Sequence, residues 1–162
     1  MFSIRCTKKL LDRMRVDPEP DPPAPSTVLG DWYANLLRVG KQQFILCVSE
    51  KTLLPVLVPA VAAKLLPRRL PEAVFDVLKR LGIRWSAIDR EMREMQAALV
   101  ARTANRRVLG MMNDFAFAAP YRLVEGASLV EVALWLAETP CSPIDMNSPE
   151  RETQAAFAES LH

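Results

Sequence analysis

The chain has 162 residues, 50% of them hydrophobic and 25% charged, with a formal net charge of +2; this is enough for one domain with its own core. No apolar run approaches the ~18 residues a membrane-spanning helix needs, and the opening MFSIRCTKKLLDRMR carries charges where a signal peptide needs an apolar centre, which predicts a cytoplasmic protein. The three cysteines, Cys6, Cys47 and Cys141, follow no metal-ligand spacing, and the single histidine is the final His162, so neither a Ser–His or Cys–His catalytic pair nor a His-ligated metal is expected.

Residues 2–7, FSIRCT, predict a short strand in which Ile4 and Cys6 alternate with Ser3 and Arg5. Thr7 suits the N-cap of a helix over 8–15, with Leu10, Leu11 and Met14 on one side. Residues 17–25 hold five prolines among nine, so the segment 17–27 should be an extended loop. Two apolar runs follow, 32–39 and 43–49, separated by Gly40, Lys41 and Gln42. They predict a hairpin with a three- or four-residue loop. Phe44, Leu46 and Val48 point one way and Ile45 and Cys47 the other, so this strand should be covered on both faces. Asn35 is the polar exception in the first run; its amide either bonds a neighbouring side chain or loop, or contacts a ligand. Residues 52–58 fit an edge or broken strand, because Pro55 and Pro59 lack the ladder donor.

A helical turn is expected over 61–66, then a helix from Pro71, in its first turn, to Leu81, with Gly82 closing it. Residues 86–102 predict a longer helix capped at Ser86. Its stripe is Trp85, Ile88, Met92, Met95 and Leu99, with Arg90, Glu91, Arg93 and Glu94 facing outward. The next segment, TANRRVLGMMND over 103–114, holds the strongest polar cluster. On a helix Arg106, Gly110, Asn113 and Asp114 share one face. Glycine inside a helix costs about 1 kcal/mol relative to alanine, so Gly110 is expected to mark a close approach by another backbone or by a partner. Asn113 is expected to be buried and bonded, with Arg106 or Arg107 paired to Asp114. An irregular stretch containing Pro120 and Tyr121 should run to Gly126. Ser128 and Glu131 then form a capping box for a helix ended by Thr139 and Pro140. Residues 150–160 fit a last, exposed helix.

The predicted fold is α+β: a small, mainly antiparallel sheet built around a central hairpin and packed by helices from the C-terminal two-thirds. The predicted domain spans 1–149, followed by an acidic tail over 150–162. The segments IRCTKKLL, LGDWYANLL leading to EKTLL, and NRRVLGMMND before LAETP together resemble a family of uncharacterised bacterial domains of unknown function. The resemblance runs from about Ile4 to Pro149 and implies domain boundaries, but no activity.

Residues 62–110 carry eleven basic and five acidic side chains, and residues 111–162 two basic and eight acidic. Such asymmetry provides either a basic patch or internal neutralisation, and the second is favoured. The favoured function is a non-enzymatic binding or regulatory module with a protein partner. No catalytic residue, metal or cofactor is assigned. Candidate binding residues are Arg5, Asn35, Arg106, Gly110, Asn113 and Asp114. One alternative is weak, salt-sensitive nucleic-acid binding through Arg68, Arg69, Arg80, Arg84, Arg106 and Arg107. Another is a phosphate- or magnesium-dependent enzyme, such as a nuclease or a transferase, built on Arg5, Asn35, Arg106, Asn113 and Asp114.

Overall fold

The computed structural model describes residues 1–160, so the predictions attached to His162 lie outside the described residues. The elements run β1 (Phe2–Cys6), α1 (Lys8–Met14), β2 (Trp32–Val39), β3 (Gln42–Ser49), β4 (Pro55–Pro59), α2 (Leu66–Arg80), α3 (Trp85–Glu94), β5 (Ala98–Arg102), α4 (Arg106–Leu123), α5 (Leu129–Leu136) and α6 (Pro149–Glu159). The five strands form one sheet in the order β4-β3-β2-β1-β5. The fold is α+β, and the hairpin β2–β3 occupies the middle of the sheet.

The sheet is mixed, which corrects the expectation of a mainly antiparallel one. β2 with β3 and β3 with β4 are antiparallel, whereas β1 lies parallel to both β2 and β5. The cause is connectivity. A strand followed by a helix and a long segment returns as a parallel neighbour, and α1 with the proline-rich segment supplies that crossover from β1 to β2.

The largest departure from the sequence pattern is β5. The predicted helix over 86–102 stops at Glu94, after starting one residue before Ser86, with Arg84 as its cap. Residues Ala98–Arg102 instead pair with all five residues of β1. Met95 and Leu99 continue the helical stripe, but an unpaired β1 edge would leave buried backbone groups without partners, and that tertiary demand outweighs the local pattern. Glu19 extends the sheet beyond β5 through a parallel bridge to Ala101, with its N–H on the Val100 carbonyl at 2.7 Å. The proline-rich segment is therefore tied to the sheet edge.

Smaller differences have local causes. The hairpin turn is two residues, because Val39 pairs directly with Gln42 and Gly40 takes φ +61°, the left-handed conformation such a tight turn needs. α2 begins at Leu66 with Pro67 in its first turn, so Pro71 lies inside the helix and is buried. α4 runs through Pro120 to Leu123, where an irregular stretch is predicted. Burial of Phe115 and Ala119 against the sheet holds that part of the helix. Residues 149–159 form α6, and Thr153 and Phe157 are buried rather than exposed.

Helices cover both sheet faces. On one, Ile4, Trp32, Ala34, Ile45 and Val56 pack with Leu10 and Met14 of α1, Val74 and Val77 of α2, and Ile88 of α3. On the other, Tyr33, Leu46, Val48 and Leu57 pack with Val108, Met112 and Phe115 of α4 and Leu136 of α5. Both faces of β3 are thus buried, as its two-sided apolar sequence predicts.

Candidate functional site

The parallel part of the sheet decides where a site can form. From β1 the chain turns at Cys6 into α1, on one face. From the adjacent β5 it turns at Arg102 towards α4, on the opposite face. Where neighbouring parallel strands send their connections to opposite faces, a crevice opens outside their carboxyl ends. Here that crevice is an open cleft of about 840 Å³. Its wall carries Lys8, Arg15 and Arg102, the carboxylates Asp12 and Asp17, and the Thr103 hydroxyl. Leu11, Val16 and Pro18 supply its apolar part.

Among the described residues none of the three cations forms an ion pair; the pairs present join Met1 with Glu94, Arg5 with Asp31 and Arg122 with Glu125. Arg15 has a second peculiarity. It closes α1 in the left-handed conformation, with φ 56° and ψ 46°. Glycine is usual there, because a side chain makes that conformation unfavourable by about 1–2 kcal/mol. The Cys6 thiol also borders the cleft, but burial pushes its pKa up to about 12, so it is not a thiolate nucleophile.

Two sequence-predicted residues build the frame of this crevice. Arg5 Nε donates to Asp31 Oδ2 at 3.1 Å, and Nη1 donates to the Arg102 carbonyl at 3.0 Å. Asp31 Oδ1 accepts from the Ser3 N–H at 2.8 Å. Arg5 therefore ties β1 to the entry of β2 and to the end of β5. Asn35 Oδ1 accepts from Thr7 Oγ1 at 2.6 Å and from the Leu36 N–H at 2.8 Å, fixing the β1–α1 turn. Its amide oxygen is thus engaged by a neighbouring side chain and by the next backbone N–H.

The same sheet face holds the start of α4. The buried Tyr33 Oη accepts from the Asn105 N–H at 3.0 Å. Asn105 Oδ1 caps the helix, accepting from the N–H groups of Arg107 at 2.9 Å and Val108 at 3.3 Å. Arg106 follows directly, at the solvent surface. Gly110, Asn113 and Asp114 continue along the outer, exposed face of α4. The six candidate residues thus divide: Arg5 and Asn35 bond within the sheet frame, and the other four share the helix surface.

Two expectations for that surface are corrected, and the one for Gly110 is narrowed to approach by a partner. A side chain added at Gly110 would meet nothing within 4 Å, so no part of the described chain approaches it. Asn113 is exposed rather than buried. Neither Arg106 nor Arg107 pairs with Asp114 among the described residues. Accordingly, Asn113→Ala is expected to leave stability within about 0.5 kcal/mol of the parent in a thermal melt. A loss above about 1 kcal/mol would mean that the amide makes buried bonds.

The basic residues of 62–110 lie on different layers: Arg68, Arg69 and Arg80 on α2, but Arg106 and Arg107 on α4 across the sheet. No group of three or more His, Cys, Asp or Glu side chains among the described residues is arranged to hold a metal ion. No helix among them is long and apolar enough to cross a membrane.

Fold and site together define an α+β domain with a mixed five-stranded sheet and a cationic crevice at the ends of its parallel strands. A family model described as Domain of unknown function (DUF6933) matches residues 3–152, and the chain belongs to that family. No curated protein and no solved structure matches the chain.

Proposed function

We propose that this protein is a non-enzymatic binding module whose ligand is a small organic anion, held by an oxyanion group at the crevice between the ends of β1 and β5. The observation that carries this is the convergence of Lys8, Arg15 and Arg102, free of ion pairs among the described residues, on one open cleft. Charge-assisted bonds from two arginines and a lysine suit a phosphate or carboxylate group. Leu11, Val16 and Pro18 suit a short apolar body, and Asp12 and Asp17 suit a hydroxyl or amine on it. The left-handed Arg15 supports the same reading, since a disfavoured backbone at a ligand-facing position points to function more than to folding.

The test is calorimetric titration of the full chain with inorganic phosphate and with glycerol 3-phosphate at low salt. Binding near the millimolar range is expected for phosphate alone, about −4 kcal/mol, and tighter for the phosphomonoester. Loss of one charge-assisted contact costs about 1.5–3 kcal/mol, so Arg102→Gln and Lys8→Gln should each weaken binding about ten- to a hundredfold. Arg15→Gly should weaken binding while melting no lower than the parent. Absence of binding by either anion, or identical affinities in parent and variants, would refute the proposal.

A further inference from the structure

The outer face of α4 carries a second and independent surface. Arg106, Gly110, Asn113, Phe117, Tyr121 and Val124 recur at steps of three and four, so they form one stripe on and just beyond the helix. Phe117, Tyr121 and Val124 are 76%, 64% and 73% exposed, and the two rings meet edge to face at 6.4 Å between centroids. Scattered single apolar residues on a surface are ordinary, but here three share one stripe of a single helix. Arg107 lies beside the stripe. Glu125 follows it, in a loose, exposed contact of 3.5 Å with Arg122, whose guanidinium is also engaged over the Trp135 ring at 4.8 Å.

We infer that this face of α4, the stripe together with Arg107, Asp114 and Glu125 on its flank, docks on the same face of a second copy of this chain, with the two α4 helices antiparallel about a two-fold axis. Such an interface must be self-complementary, each residue facing the one equally far beyond the axis. With the axis at the level of residues 115–116, four matches arise together. Arg106 and Arg107 come level with the partner's Glu125, so opposite charges meet at both ends. Gly110 faces the partner's Tyr121, so the largest exposed ring on the stripe meets its one position without a side chain. Phe117 comes level with the partner's Asp114, within reach of a carboxylate against the electropositive ring edge. Val124 lies along the aliphatic stem of the partner's Arg106. This register gives Gly110 a role: within its own chain nothing lies within 4 Å of the added side chain, and glycine is otherwise disfavoured inside a helix. It also gives Arg106 and Glu125, at opposite ends of the stripe, oppositely charged counterparts.

The test is sedimentation equilibrium of the full chain from micromolar to millimolar concentration. A monomer–dimer equilibrium is expected, with a dissociation constant on the order of 10–100 µM. Tyr121→Ser and Phe117→Ser should each raise it at least tenfold. Gly110→Gln should raise it similarly while melting no lower than the parent, which separates a blocked interface from a damaged fold. Arg106→Glu and Glu125→Arg should each weaken the dimer, and the double reversal should restore it to within about threefold of the parent, equivalent to less than 1 kcal/mol. A parent chain that stays monomeric at millimolar concentration, a dimer indifferent to these changes, or a double reversal that fails to rescue would overturn the inference.

Discussion

Replacing Leu46 with alanine is expected to destabilise the protein by about 2–5 kcal/mol. Leu46 lies on β3, one strand from the sheet edge, and is 1% exposed. It points into the layer formed by Tyr33, Val48 and Leu57 of the sheet with Met111, Met112 and Phe115 of α4. Its cross-strand partners, Asn35 on β2 and Leu57 on β4, are held by continuous antiparallel ladders. The backbone around the site therefore has little freedom to collapse into the space left, and the cavity adds to the lost transfer free energy. The opposite face of the same strand, Ile45 and Cys47, is equally closed. A urea melt gives the number directly, and a loss below about 1 kcal/mol would place Leu46 outside the core.

A comparable effect is expected from Glu91, a residue whose sequence neighbourhood marks it as solvent-facing. It is only 1% exposed. Its two carboxylate oxygens accept from the Val28 N–H at 2.8 Å and the Leu29 N–H at 3.1 Å, where the proline-rich segment returns to the sheet. Glu91→Ala leaves both donors without a partner, a loss of about 2–4 kcal/mol. The pH dependence has a definite sign. Burial raises the Glu91 pKa above its ordinary 4.5, and the two N–H bonds partly oppose that rise. A carboxyl whose folded pKa is raised binds its proton more tightly in the folded state. Its stabilising contribution is full below about 4.5 and fades as pH rises through the folded value. The parent should therefore lose stability relative to Glu91→Gln as pH climbs from about 4 to 7. Thermal melts of the two proteins across that range check it; a parent that gains on Glu91→Gln with rising pH would contradict it.

Glu91 also shows where the sequence stops being legible. The stripe Trp85, Ile88, Met92, Met95 places it on the outer side of α3. Nothing local reveals that a returning loop covers that side and needs two acceptors. The hairpin was legible because period-two apolar runs flank a glycine, and the turn at Gly40 follows from short-range sterics. β5 was not, since ALVAR becomes a strand only because β1 offers an unpaired edge almost a hundred residues earlier. That one change hides the crevice. With residues 98–102 taken as helix there is no pair of parallel strand ends, and Lys8, Arg15 and Arg102 appear as unrelated surface cations. Arg5 and Asn35 stand out in sequence as polar residues in strands, but their bonds go to the frame rather than into the cleft. Arg106, Gly110, Asn113 and Asp114 do share a face, as helical spacing requires. Phe117 extends that face, and Tyr121 does so only because α4 continues through Pro120.

The crevice is the centre of this account, and amide NMR during a phosphate titration tests it most directly. The prediction is a saturable set of shifts confined to residues 6–8, 15–17 and 102–103, abolished in Arg102→Gln and weakened by salt. Shifts spread over the basic side chains of α2 and α4 instead, or none up to the millimolar range expected for phosphate, would contradict it.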